Sequence, residues 1–93
     1  DIKGISLKVR GNGEKYYVFV RTTSTLLPWQ FYNASFKTSK NWRVIKINFD
    51  TFQPSSSFLR KTIKSSSIKS IGIVAYGRDH EAKIDISEIY FFK

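Results

Sequence analysis

WQFYNASFKTSKNWRVIKINFDTFQP, residues 29–54, is the stretch whose reading decides the fold. Tyr32, Ala34 and Phe36 fall on one side of an extended chain, and Phe31, Asn33 and Ser35 fall on the other. Further on, Ile45, Ile47 and Phe49 alternate with Val44, Lys46 and Asn48. A period of two is that of a strand with one buried face. Between the two runs, Thr38-Ser39-Lys40-Asn41 has the composition of a turn. The stretch therefore predicts a strand over 29–38, a polar turn, a second strand over 42–49, and a break into a loop near Pro54. Trp42 has the opposite parity to the core residues and is expected to close one end of a sandwich. The stretch holds both tryptophans but no catalytic constellation, so it identifies a scaffold better than a chemistry.

Towards the amino terminus the same period recurs. Ile5, Leu7 and Val9 alternate with Ser6, Lys8 and Arg10, and after Gly11-Asn12-Gly13-Glu14 a second run covers Lys15 to Arg21. Asn-Gly favours a type I′ turn, in which both central residues take positive φ. A two-residue turn at Asn12-Gly13 predicts a hairpin that pairs Val9 with Tyr16, Leu7 with Val18 and Ile5 with Val20. All six residues then share one face, so the turn and the apolar pattern agree on the register. The other face of that hairpin carries Lys8 and Arg10 beside Tyr17, Phe19 and Arg21, with Lys8 placed to make a cation–π pair with Tyr17. Aromatic rings on an outer face imply a second layer or a binding surface.

The rest of the chain reads as further strands and connections. Residues 22–28 connect two strands, and Leu26-Leu27-Pro28 suggests a crossing over one end of the domain. Residues 50–67 form a long connection with a serine run and with Arg60, Lys61 and Lys64. Phe52, Phe58 and Ile63 are expected to anchor it, and 49–52 and 65–68 are compatible with short helical turns. A strand is predicted over 68–76, with Ile71, Ile73 and Ala75 on one face, followed by a turn over 77–81. The last strand starts at Ala82, alternates Ile84 and Ile86 with Lys83, Asp85 and Ser87, and continues through Ile89-Tyr90-Phe91-Phe92. Neither a repeat nor a heptad nor an amphipathic helix is present. The fold class is all-β, an antiparallel sandwich.

Composition narrows the chemistry. A length of 93 residues suits one domain or part of one. The chain begins at Asp1 rather than Met, which reads as a segment of a longer protein, and its start resembles neither a signal nor a transit peptide. No apolar run of ~18 residues is present, so no transmembrane helix is expected. Cysteine is absent, which removes disulfides, thiolate metal sites and thiol nucleophiles. Sixteen Lys and Arg against seven Asp and Glu give a net charge of +9. That charge either serves solubility and an acidic neighbouring segment or draws acidic partners such as nucleic acid, anionic membrane or acidic protein.

One histidine falls short of the ~4 ligands a zinc site normally needs. Asp79, His80 and Glu81 are adjacent, where alternate side chains diverge, and read as turn residues. Asp50, Asp79 and Asp85 are too scattered for a calcium site. Gly11-Asn12-Gly13 lacks the further glycine and helix of a phosphate loop, and no nucleophile elbow is present. No catalytic residue, metal ligand or cofactor is assigned. What remains is a candidate partner-binding surface of interleaved rings and cations: Tyr17, Phe19, Trp29 and Phe31 with Lys8, Arg21, Arg43 and Lys46. Such rings stack on bases or sugars, and core packing is their competing role.

The order of these motifs resembles the complex I intermediate-associated protein 30 family. The family's Gly-Ile-x-Leu-x-Val-x-Gly-x-Gly, followed by Tyr, alternating apolars and Arg-Thr, is matched from Gly4 to Thr22. Its central pattern is matched by Tyr32, Ala34, Phe36, Thr38, Trp42, Ile45, Ile47, Phe49 and Phe52. Its later motifs are matched by Ile68, Ser70, Ile71 and Gly72, and by Ile84, Ile86 and Ile89. Two positions depart from it. Phe58-Leu59-Arg60-Lys61 lacks the family's glycine, and Ala82 replaces a larger apolar residue.

The resemblance implies a galactose-binding-like jelly roll, related to carbohydrate-binding modules and here lacking amino-terminal strands. Open sheet edges would then favour oligomers. It also implies a non-enzymatic module that assists assembly of respiratory complex I, the NADH:ubiquinone oxidoreductase, by binding protein intermediates. Plant relatives point to an RNA-linked or photosystem-assembly role, and the fold points to glycan binding, as alternatives. The implied location is mitochondrial, in the matrix or at the inner membrane, in a eukaryote, and cytoplasmic in a bacterium.

Overall fold

The alternating runs do form strands. The computed structural model describes residues 2–75 and 82–93. Its strands are β1 (Gly4–Gly11), β2 (Lys15–Thr22), β3 (Tyr32–Lys37), β4 (Arg43–Asn48), β5 (Gln53–Pro54), β6 (Ile68–Val74) and β7 (Ile84–Phe92). Two short 3₁₀ turns, Phe49–Thr51 and Ser65–Ser67, sit where the sequence allowed helical turns. The predicted turn at 77–81 lies outside the described residues. Strand ends are shorter than expected: β3 starts at Tyr32, which leaves Trp29 on a loop, and Trp42 lies just before β4.

Two antiparallel sheets face each other. One has the order β4-β1-β7 and the other β5-β3-β2-β6. The fold is the all-β sandwich that the pattern predicts, but its strand neighbours are not those the hairpin implies. β1 pairs with β4 and β7, whereas β2 pairs with β3 and β6. The chain turns a corner at 12–14 and changes sheet. Gly13 has φ 84° and no other residue there has positive φ, so the type I′ turn does not form.

Thr38 holds the corner in place of a hairpin ladder. Its hydroxyl donates to the Glu14 carbonyl at 2.9 Å and accepts from the Gly13 amide at 3.2 Å. The Thr38 amide also donates to the Glu14 carbonyl, and the Gly11 amide donates to Ser39. Residues 38–42 change sheet in the same way, between β3 and β4.

The inward faces were legible even though the pairing was not. Ile5, Leu7 and Val9 of β1 and Tyr16, Val18 and Val20 of β2 are all fully buried. They meet across the core from opposite sheets instead of lying side by side in one. Tyr32, Phe36, Ile47, Phe49, Phe52 and Ile63 complete the core. Phe52 and Ile63 thus anchor the long connection as expected. Phe58 does not: its side chain is 92% exposed.

Two β-bulges adjust the strands that flank this core. Against β1, Lys8 pairs with Glu88 but Val9 pairs with Ile86, leaving Ser87 unmatched. Against β2, Arg21 pairs with Ser70 but Thr22 pairs with Ile68, leaving Lys69 unmatched. One extra residue inverts the parity of the residues beyond it. Because directly opposed residues share a face, Ile84, Ile86, Ile89 and Phe91 all lie on the core side of β7. Ile68, Ile71 and Ile73 do so on β6.

Two substitutions test this packing. Leu7→Ala should cost about 2–5 kcal/mol, as buried leucines do, read as a lower urea midpoint. A Cβ on Gly4 would meet the Ile47 carbonyl and lie 2.7 Å from the Phe92 ring. Since the carbonyl is backbone and cannot swing aside, Gly4→Ala should cost about 1–3 kcal/mol in the same assay.

Candidate partner-binding surfaces

Strand alternation places Tyr17 and Phe19 on the outer face of β2. Phe31, just before β3, stacks on Phe19 with ring centroids 4.2 Å apart and planes 10° apart. Tyr17 meets Phe19 edge-on at 6.5 Å. The three rings form a continuous row on the outside of the four-stranded sheet. Lys15 lies 5.8 Å over the Tyr17 ring. Arg21 donates to the carbonyls of Thr25 at 2.9 Å and Leu27 at 3.1 Å, so its guanidinium clamps the loop that follows β2. Trp29 stands on that loop, and its carbonyl accepts from the Ser55 hydroxyl at 2.7 Å.

The other three candidate residues belong to the three-stranded sheet. Lys8 is opposed by Val44 and Glu88. Lys46 holds its ammonium 5.5 Å from the Phe92 ring. Arg43 is opposed by buried Val9, so it takes the inward parity of β4, yet it is exposed at the strand's first position. The eight predicted residues therefore divide five and three between the two sheets. Lys8 and Tyr17 lie on opposite outer faces and do not form the predicted cation–π pair. That correction follows from the corner at Gly13: with no hairpin, nothing brings the two strands' outer faces together.

Three features had no place in the sequence reading. The first is Arg10, which makes a 2.9 Å ion pair with Asp85 and lies 4.7 Å over Trp42. Trp42 is thereby engaged on Arg10. Arg10 and Asp85 line a cleft of about 510 Å³ with Gly11, Asn12, Lys40 and Lys83. The pair is exposed, so its Coulomb gain is small, ~0–1 kcal/mol.

The second feature is the inward row of β7. Ile84 packs against the core, but Ile86, Ile89 and Phe91 are exposed, Ile89 at 47%. Among the described residues β7 pairs only with β1, so one edge of a nine-residue strand is free. A sandwich buries its inward faces, and here the inward face of one outer strand is left open. Each half of the row follows strand alternation; only the bulge at Ser87 puts both halves on one side.

The third is the junction of two loops at the end of the four-stranded sheet. The Ser55 amide donates to the Phe31 carbonyl at 2.8 Å and its hydroxyl accepts from the Phe31 amide at 2.9 Å. The Thr23 amide donates to Ser67, and the Tyr32 hydroxyl donates to the Arg60 carbonyl at 2.7 Å. Burial pushes the Tyr32 phenol above the ordinary tyrosine value, while the Arg60 charge pulls against it. Among the described residues no group of His, Cys, Asp and Glu could hold a metal ion, and no helix is long and apolar enough to cross a membrane.

The raised phenol makes a signed prediction. Folding favours the neutral form of Tyr32, so its contribution is whole below the ordinary value of 10.0 and is lost as pH rises through the folded value. Tyr32→Phe should cost about 0.5–1.5 kcal/mol near neutral pH through the lost hydrogen bond. Its urea midpoint should then fall less than that of the parent between neutral and strongly alkaline pH.

Comparison with known proteins bears on these surfaces. No curated protein and no solved structure gives a significant match. The sequence profile of complex I intermediate-associated protein 30 matches residues 1–86, and so nearly every element described above. The chain belongs to the complex I intermediate-associated protein 30 family.

Proposed function

We propose that the chain is a non-enzymatic binding module that holds protein intermediates during the assembly of respiratory complex I. In a eukaryote it would act in the mitochondrion. The family's association with complex I intermediates supports the partner class. The observation that carries the binding mode is the free edge of β7 together with its exposed inward row, Ile86, Ile89 and Phe91.

An extended segment of a partner would add to β7 as a further strand. Main-chain hydrogen bonds would supply affinity, and alternate side chains would settle on the apolar row. Fully burying an exposed Ile or Phe contributes about 1.5–3 kcal/mol, and the half-exposed residues of β7 supply a fraction of that each. The row Phe31, Phe19 and Tyr17 is a second candidate contact on the opposite sheet. Glycan binding fits that row less well, because Phe19 and Phe31 each turn a face to the other and a sugar needs a free ring face.

The test is co-purification of membrane-arm intermediates with the tagged protein from mitochondria. Ile89→Lys should abolish recovery of the intermediates while unfolding in urea remains cooperative, since Ile89 is already half exposed. Undiminished recovery with a folded Ile89→Lys protein would overturn the β7 mode. Absence of complex I subunits from the parent's eluate would overturn the assembly role.

A further inference from the structure

The loop end of the four-stranded sheet combines two features that singly mean little. Leu26 is 81% exposed, Trp29 64% and Phe58 92%, and Leu27 is exposed beside them. A lone exposed Leu is ordinary. Four large apolar side chains on two adjoining loops are not. Nor are the loops loosely placed. Ser55 bonds to both Trp29 and Phe31, Arg21 clamps the carbonyls of Thr25 and Leu27, and Tyr32 holds Arg60. The Leu27 amide donates to the Gln30 side chain, and the Phe58 amide donates to the Ser56 hydroxyl. The chain thus holds its apolar tips out in water on a braced support.

Within the same pair of loops lies a cavity of about 280 Å³ lined by Thr23, Ser24, Arg60, Lys64, Ser66 and Ser67. It offers two cations and the hydroxyls of Thr23 and Ser66, with no carboxylate among the lining residues. The Ser67 hydroxyl donates to the Lys64 carbonyl, and the Ser24 hydroxyl bonds the Thr22 hydroxyl. Residues 22–31 and 55–67 contain three basic residues, Arg60, Lys61 and Lys64, and no acidic one. Guanidinium, ammonium and hydroxyl donors converging on one cavity suit a phosphate oxyanion.

We propose that this end of the sandwich docks on an anionic phospholipid surface, with Leu26, Leu27, Trp29 and Phe58 entering the interface and the Arg60–Lys64 cavity taking a headgroup phosphate. Binding at an interface grows with buried apolar area and with attraction to anionic lipid, and the same two loops supply both contributions. Trp is a residue that settles at the headgroup level. A protein partner would have to supply pockets matched to each anchor. Side chains that protrude as far as Leu26 and Phe58 suit a fluid surface that moulds around them. The lipid contact is independent of the β7 edge, and it is assayed without any protein partner, so the two readings fail separately.

The experiment is sedimentation with vesicles of phosphatidylcholine alone and of phosphatidylcholine mixed with phosphatidylglycerol. It is combined with tryptophan emission in a Trp42→Phe background, where Trp29 is the remaining indole. Binding is expected to the anionic vesicles, with a blue shift of Trp29 and weakening in salt. Arg60→Gln and Lys64→Gln should each weaken it about fivefold, the effect of one basic residue near such a surface. Phe58→Ser should weaken binding and leave the urea midpoint unchanged, because the ring is solvent-exposed in the free protein. The proposal is overturned by equal binding to both vesicle types, by no binding to either, or by Phe58→Ser binding like the parent. It is also overturned if inorganic phosphate or RNA is bound while anionic vesicles are not.

Discussion

The structure depends on one contact above the rest: the inward row of β1, Ile5, Leu7 and Val9, facing the inward row of β2, Tyr16, Val18 and Val20, across the core. All six side chains are fully buried. Consecutive strands that face each other in this way cannot be neighbours in a sheet. The chain between them must form an arch, and the arch needs its own polar support, which Thr38 provides with both its hydroxyl and its amide. Tyr16 adds to it, since its buried ring carries a hydroxyl that donates to Asn12 at 2.8 Å. Once β1 and β2 are committed to different sheets, each needs partners from elsewhere in the chain. β4 and β7 come to β1, and β3 and β6 come to β2.

That arrangement leaves the two sheets unequal in cover. β1 and β2 are central and closed, while β6 and β7 are outer strands whose inward residues are partly or largely exposed. The bulges at Lys69 and Ser87 matter for this reason. Without them, half of each apolar row would turn outward and the open side would be mixed in character. With them, the open side is uniformly apolar, a surface that water disfavours and another chain can cover. The polar outer faces behave differently. Several of their cations are engaged in contacts within the sandwich: Arg10 with Asp85 and Trp42, Arg21 with loop carbonyls, Lys46 with Phe92. High net charge alone is therefore a poor guide to where a partner sits. The cavity beside Arg60 and Lys64 stands apart because hydroxyls and cations converge there.

A spacing of two determines which side chains turn inward, because successive side chains of a strand point to opposite faces. The all-β class, the buried Tyr32, Phe36, Ile47 and Phe49, and the two 3₁₀ turns were therefore legible in the sequence. Its family motifs were legible too, and the profile match over residues 1–86 bears them out. Spacings of three, Ile68 to Ile71 and Ile86 to Ile89, were a visible but unused sign of bulges, since an inserted residue restores an apolar row to one face.

Which strands lie beside one another was decided by the tertiary structure alone. The same inward pattern is satisfied by two rows side by side in one sheet or by two rows face to face across a core, and both bury the same residues. Asn12-Gly13 pointed to the first, but only Gly13 took positive φ and the chain folded as the second. That choice produces the separation of Lys8 from Tyr17, the division of the eight candidate residues between the two sheets, and the open side at β7. Burial of the six side chains does not distinguish the two arrangements; the surroundings do. β4 and β7 flank β1, β3 and β6 flank β2, and Thr38 bonds the corner at Gly13 and Glu14, so contacts distant in sequence overrode the local turn preference.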